Sequence, residues 1–251
     1  MLEDATLLLA ILATAAFVAG FVDSIAGGGG LITVPVLVLA GLSPVEALGT
    51  NKLQGLFGAG TAAWNYGRKG HVNLASQWPS ALLAGGASVL GAALATIVPA
   101  DWFRAVLPYL LVAIALYFWL RPGLDDVDKT ARLSPLLFAA LIVPLIGFYD
   151  GLFGPGTGSF FMLGFVALAG YGVLKATAHT KLLNFASNVG GFILFAYAGA
   201  IAWKFGLVMG VAQILGAQVG SAVAMKNGAR VIKPLLVIVC TLLALRLWWS
   251  G

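Results

Sequence analysis

Charge is scarce in this chain. Asp, Glu, Lys and Arg together make up 9% of its 251 residues, against 61% hydrophobic residues; a soluble domain carries roughly a quarter charged residues. With a mean hydropathy of +1.00, a soluble surface cannot be assembled, so the chain reads as an integral membrane protein. Cysteine is nearly absent too. Cys240 stands alone, which excludes an intrachain disulfide. The histidines, His71 and His179, are far apart, and no His/Glu or paired-Asp spacing suits a metal ion. Nor does Cys240 have a histidine near it in sequence to serve as base for a nucleophile. These absences argue against an intramembrane enzyme, and no cofactor is called for. The net charge of +5 lies mainly in loops, where it reports topology rather than a nucleic-acid footprint.

What the chain does have is apolar length. Apolar segments run approximately Ala5–Ser24, Leu31–Leu42, Val45–Tyr66, Pro79–Val98, Trp102–Leu120, Leu133–Asp150, Ser159–Gly170, Val173–Ala198, Ala202–Met225 and Val231–Trp249. Most approach the roughly 20 residues that a membrane helix needs. The expected fold is therefore all-α, with eight to ten membrane segments. The first segment follows Glu3 and Asp4 rather than a basic stretch and runs straight into a glycine motif, so it reads as structure and not as a cleaved signal peptide. Tryptophans 64, 78, 102, 119, 203, 248 and 249 lie mostly at segment ends, as an interfacial belt would.

One motif occurs twice. The first copy reads GFVDSIAGGGGLITVP from Gly20 to Pro35 and the second GFYDGLFGPGTGSFFM from Gly147 to Met162. In register, Gly20, Phe21, Asp23, Gly27 and Gly29 fall on Gly147, Phe148, Asp150, Gly154 and Gly156. AGLSPVEALGTNKLQ (Ala40 to Gln54) is echoed by AGYGVLKATAHTKLL (Ala169 to Leu183), and GASVLGAALA from Gly86 by GAQVGSAVA from Gly216. An apolar chain duplicated and broken by glycine at corresponding points is the signature of a secondary transporter built from two repeats. The repeats are expected over residues 1–125 and 132–251, with a linker at about 121–132 on the cytoplasmic side.

The cations set the orientation. They gather at Arg68, Lys69 and His71, at Arg121, Lys129 and Arg132 (diluted by Asp125, Asp126 and Asp128), and at Lys226, Arg230 and Lys233. The positive-inside bias places all three groups in the cytoplasm. The charge-rich loop swaps position between halves: the counterparts of the first and last groups carry only Lys204 and Arg104. Inverted repeats with both termini facing outward follow. Leu31–Leu42 and Ser159–Gly170 are too short to cross about 30 Å of hydrocarbon easily. Each is either a short span or the returning arm of a hairpin; four consecutive glycines, irregular backbone that must avoid lipid, favour the hairpin.

Two constellations carry chemistry. The first is the pair of glycine tips, Gly27, Gly28, Gly29 and Gly30 against Gly154, Gly156, Thr157 and Gly158. Glycine admits positive φ and close backbone approach, and a helix that starts immediately afterwards points its amides and positive dipole end at an anion. The second is Asn51, Lys52 and Gln54 against Thr180, Lys181 and Asn184; ionisable residues inside membrane segments mark function by default. Two ammonium groups and two sets of backbone donors suit a small anion, so Lys52→Ala is expected to abolish transport with folding intact. Asp23, Asp150 and His179 are the acid–base candidates for proton coupling. Asn65, Asn188, Gln213 and Gln218 are placed to line a pathway, but read first as interhelical hydrogen-bonding groups.

The glycine-rich break after GF-x-D and the EALGTNK block, with its weaker second-half echo, resemble the sulfite exporter TauE/SafE family of membrane permeases over essentially the whole chain. The resemblance implies movement of small sulfur-containing anions, such as sulfite or a sulfonate like sulfoacetate, across a bacterial plasma membrane. The expected partners are thus a small anion and the lipid bilayer. Pro155 in the second tip and His179-Thr180 in place of Thr50-Asn51 depart from strict symmetry. A passive anion channel or a carboxylate permease would use the same features.

Overall fold

In the computed structural model, which describes residues 2–97, 109, 112–120 and 124–249, the described elements are helices and the turns between them. They are α1 (Leu2–Ala26), α2 (Gly29–Leu39), α3 (Pro44–Arg68), α4 (Trp78–Ala95), α5 (Pro135–Leu152), α6 (Thr157–Ala167), α7 (Val173–Tyr197), α8 (Trp203–Asn227) and α9 (Ala229–Trp249). A further helical stretch covers 112–119. It is the described part of the predicted segment Trp102–Leu120, most of whose earlier residues, with Trp102, Arg104 and Arg121, lie outside the described residues. Helices long and apolar enough to cross a membrane are Thr6–Ala26, Trp78–Ala95, Pro135–Leu152 and Trp203–Asn227. Helices α3 and α7 have 25 residues each, about 37 Å at 1.5 Å per residue. They owe their lower hydropathy to polar residues turned inward.

Local chemistry fixes the helix ends. Helix α3 opens on a capping box: the Glu46 amide donates to Ser43 Oγ at 3.3 Å, and the Ser43 amide to Glu46 Oε2 at 3.0 Å, which satisfies amides that have no partner in the helix. Helix α5 contains a π turn over Phe138–Ile142 just before Pro144. Proline has no amide to donate and crowds the carbonyl four residues back, so the ladder widens there.

The short helices return beside the long ones that precede them. The amides of Arg132 and Leu133, just before α5, donate to the Leu168 carbonyl, just after α6, at 2.8 and 3.1 Å. The α5–α6 pair is therefore a hairpin with both ends together, its turn buried in the molecule. At the open end of α1–α2, Leu8, Leu12, Leu37, Ala40 and Leu42 pack in one cluster with Ala47 and Met209. Both short segments thus fold back along the helices that precede them.

Partners are exchanged between the halves. Helix α1 lies against α8, and its counterpart α5 lies against α4. Both contacts need glycine. A Cβ on Gly216 or Gly220 would run into the α1 backbone at Phe17 and Phe21, and one on Gly91 or Gly151 would do the same between Phe148 of α5 and Ser88 of α4. Small residues at these crossings let backbones approach closely, which is how helices gain van der Waals contact where lipid offers no hydrophobic drive. Exposed apolar side chains, among them Leu207, Val211, Leu215 and Val219 along α8, form the outer surface. Trp64, Trp78, Trp119 and Trp203 are also exposed.

The acidic residues of the linker have a job that charge counting did not suggest. Asp126 Oδ1 accepts the Leu174 amide at 2.9 Å and Asp126 Oδ2 the Ala229 amide at 3.0 Å, while Asp128 Oδ1 accepts the Gly172 amide at 2.9 Å and Asp128 pairs with Lys175. The linker thus caps the starts of α7 and α9, where a carboxylate also meets the positive end of each helix dipole.

Candidate functional site

The two hairpin turns meet inside the molecule. Gly27 and Gly154 take φ of 82° in the two turns, and Gly28 and Gly156, with φ of 93° and 88°, are the residues from which α2 and α6 start. These left-handed conformations explain glycine at all four positions. The structure corrects the sequence register here. Gly27 matches Gly154 as expected, but Gly156 plays the part of Gly28 and not of Gly29, because Pro155 adds a residue to the second turn. Gly29 and Gly30 are already helical. The turns are in contact: a Cβ on Gly27 would sit 2.6 Å from the Gly158 carbonyl carbon, and Ser159 Oγ donates to the Ala26 carbonyl at 3.3 Å.

Each turn is held by the lysine of the opposite half. Lys52 of α3 places its ammonium 2.8 Å from Asp150 Oδ1, at the end of α5. Lys181 of α7 donates to the backbone carbonyl of Asp23, with Asp23 Oδ2 at 3.6 Å, at the end of α1. A helix ends in unpaired carbonyls and the negative end of its dipole, so a cation there is favourable. The aspartates in turn serve the returning helices: Asp23 Oδ1 accepts the Gly29 amide at 3.2 Å, and Asp150 Oδ1 accepts the Thr157 hydroxyl at 2.7 Å. Lysine and aspartate, given separate tasks by the sequence, are joined as cross-half pairs. The expectation that Lys52→Ala leaves folding intact changes accordingly, because Asp150 is then buried without its cation.

A polar cavity opens where the turns meet. Its lining includes Asp23, Gly28, Gly29, Gly30, Asn51, Asp150, Gly154, Gly156, Thr157, Gly158 and Asn184, all predicted, together with Gly55, Asn188 and Gln213. About 40 Å³ is open to the centres of water-sized molecules, room for roughly three waters at about 10–15 Å³ each. The first turns of α2 and α6 start at this region, where the Gly29 amide is taken by Asp23 Oδ1 and the Leu31, Thr157 and Ser159 amides by the Gly28, Gly154 and Gly156 carbonyls.

The remaining predicted residues lie around the cavity or away from it. Gly27 forms the contact between turns. Gln54 donates to Asn51 Oδ1 at 3.1 Å, and Thr33 Oγ1 donates to the same oxygen at 2.7 Å, so Asn51 is fixed from both sides. Thr180 is buried in α7 beside Lys181. His179 is set apart from Asp23 and Asp150: its ring packs edge-on against Tyr171, centroids 4.9 Å apart, and against Phe165 at 5.5 Å. Two residues along a helix turn the side chain by about 200°, which carries His179 to the face opposite Lys181. Asn65 and Gln218 are hydrogen-bonded to each other at 2.9 Å, as expected, whereas Asn188 and Gln213 reach the cavity. The sequence signal for the latter pair was available in Gly55 and Gly58. A Cβ at Gly55 would lie 3.1 Å from Asn188 Oδ1, and one at Gly58 would collide with the Gln213 amide, so these glycines make room for the two amides.

Comparison with known proteins adds the family. Residues 12–247 match the family model described as Sulfite exporter TauE/SafE. The chain is 65% identical to a probable membrane transporter protein, ORF9, of Sinorhizobium sp, over 96% of this chain and 92% of that one. It is 48% identical to a probable membrane transporter protein of Haemophilus influenzae, over 92% and 91% of the two chains. It is 46% identical to the probable membrane transporter protein YfcA of Escherichia coli K12, over 98% and 91%. No solved structure matches.

Proposed function

This chain belongs to the sulfite exporter TauE/SafE family of membrane transporters, and from that premise we propose that it moves a small sulfur-containing anion, sulfite or a short sulfonate, across the plasma membrane by alternating access. The observation that carries the reading is the meeting of two glycine turns over one polar cavity. Two helices begin there, with the positive ends of their dipoles directed at the same small space. The family's description supplies the class of anion, and the cavity's few-water size suits a compact oxyanion.

The two halves act as inverted repeats that rock against each other about this cavity. The support is directional. Helix α8 begins beside the open end of the α1–α2 hairpin, with Met209 packed among Leu12 and Leu37. It ends next to α9, whose first amide is held by the linker residue Asp126, and the linker also closes the open end of α5–α6. The hairpins then enter from opposite sides, with both termini periplasmic and the linker cytoplasmic. Proton coupling runs through Asp23 or Asp150; His179 is not included, since its ring is sandwiched with aromatics away from the cavity.

A monovalent anion gains about 2.3 kcal/mol per 100 mV on leaving a cell with a negative interior. Export can therefore run on the membrane potential alone, whereas uptake needs a co-transported cation. Proteoliposome flux of sulfite, thiosulfate and two-carbon sulfonates, with and without imposed pH gradients and voltages, is the test. Saturable flux of at least one of these that responds to the pH gradient is expected. Flux that ignores both gradients would point instead to an electroneutral exchanger, and non-saturable flux that follows voltage alone to a passive pore.

A further inference from the structure

The two lysine–aspartate pairs occupy corresponding places, yet they are not equally complete. Lys181 gives a hydrogen bond to the Asp23 carbonyl, and Asp23 Oδ1 accepts the Gly29 amide. In the other pair, the Lys52 ammonium lies 2.8 Å from Asp150 Oδ1 and meets no second acceptor. Asp150 Oδ2 is likewise buried without a donor. Lys52 and Asp150 are 1% and 4% exposed, so solvent does not supply what is missing. Asn184, which lines the same cavity as Asp150, has its buried Oδ1 without a donor as well, whereas Asn51 Oδ1 has two. Buried polar atoms are nearly always satisfied, and leaving one unsatisfied costs on the order of 1–3 kcal/mol. A buried ion pair left short of hydrogen bonds, its carboxylate lining a polar cavity, marks where something else binds.

We propose that Lys52 and Asp150 form the loading site for an anion and a proton together, and that Lys181 and Asp23 form a fixed clasp that takes no part in coupling. This rests on the anion-transport reading above and deepens it. The proton comes from bulk water and forms one O–H bond, on Asp150 Oδ2. The neutral carboxyl then releases Lys52, which stays an ammonium, and the anion takes its N–H donors behind Gly154, where a Cβ would lie 3.3 Å from Lys52 Nζ. Charge is conserved in the pocket: one positive and one negative charge enter, and the lysine exchanges a protein carboxylate for the substrate. A proton needs only one lone pair, whereas a metal cation seeks about six oxygens beside an ammonium that repels it, so the site is assigned to a proton. The charged and titratable groups that bear on Asp150 are Lys52 from α3, Lys181 from α7, Asp23 from α1 across the cavity and the neighbouring Tyr149; α4, packed on α5, has no ionisable residue.

Infrared difference spectra of the purified protein in nanodiscs test this directly. Acidification is expected to raise the carbonyl band of a protonated, buried carboxylic acid; Asp150→Asn removes that band and Asp23→Asn keeps it. Sulfite added at constant pH increases the band in wild type and has no effect in Lys52→Gln. Carbodiimide labelling of the unmodified protein provides a check that needs no variant: the adduct forms on the peptide that carries Asp150 and not on the one that carries Asp23. A band lost in Asp23→Asn, an adduct on Asp23, no adduct on either residue, or a band that follows sodium in place of acid overturns the proposal. If the acid-induced band and the Asp150 adduct appear but no sulfur anion changes them, the substrate reading fails and the proton site stands.

Discussion

Gly27 and Gly158 touch back to back where the two hairpins meet, so that a Cβ on Gly158 would lie 2.7 Å from Gly27 Cα and one on Gly27 would lie equally close to the Gly158 backbone. No side chain can give way at such a contact, only the hairpins themselves. Gly158→Ala is expected to push the turns apart and to lower stability by about 1–3 kcal/mol, as overpacking usually does. Gly27→Ala adds the strain of φ 82°, about another 1–2 kcal/mol. Thermal unfolding in detergent ranks the variants; Gly41→Ala, at a positive φ with open space around it, separates strain from collision. Equal losses for Gly27→Ala and Gly41→Ala would mean that the contact between the turns is unimportant.

Breaking the Lys52–Asp150 pair from one side leaves a buried charge. Lys52→Ala is expected to destabilise by about 3–5 kcal/mol, and the neutral double replacement Lys52→Met with Asp150→Leu is expected to recover most of that loss. Transport is lost in both. Chemical denaturation together with flux gives the answer: a single variant as stable as wild type would show that the pair does not persist in the membrane.

Orientation is open to a labelling experiment, because Cys240 is fully buried and contributes little background. Lys69 and Ser43 are exposed at opposite ends of α3. In intact cells, an impermeant thiol reagent added outside is expected to label Ser43→Cys and to spare Lys69→Cys until the membrane is opened. The reverse pattern removes the proposed topology.

Acid should loosen the linker before the helices. The Gly172 amide, with help from Lys175, holds the Asp128 carboxyl below its ordinary value. A carboxyl depressed on folding stabilises fully above its unfolded pKa, and the contribution disappears as pH falls through the folded one. The tie between linker and α7 is therefore expected to be intact at neutral pH and to weaken below the normal carboxylate range. Limited proteolysis of the linker across acid pH measures it, with Asp128→Asn cleaved readily at every pH. Asp126→Ala loses a shared cap on α7 and α9, a cost of about 1 kcal/mol by analogy with helix N-caps.

Much of the site was legible because membrane chemistry makes certain residues conspicuous. Lysines and clustered glycines are costly in an apolar helix, so their recurrence half a chain apart, at Lys52 and Lys181 and at Gly27 and Gly154, stood out against leucine and alanine. The capping role of the linker aspartates was not legible beside their charge, because a cap depends on which amides lie nearby in space, and Asp126 reaches Leu174 and Ala229 from far along the chain. Asn188 and Gln213 resembled any amide between helices until the gaps at Gly55 and Gly58 were seen to admit them.

Composition and repetition by themselves determined the membrane class, the helical segments, the duplicated plan and the identity of the turns, since each depends on local hydropathy or on what backbone a residue type permits. Tertiary structure decided that the short segments return as hairpins, that the turns meet, and that each lysine serves the aspartate of the other half. The meeting of the turns and the lysine–aspartate pairs follow from packing between segments far apart in the chain (Lys181 with Asp23, 158 positions away). Sequence order carries no trace of which buried charge will face which; only the close approach of glycine-lined helices brings a cation within reach of a particular carboxylate.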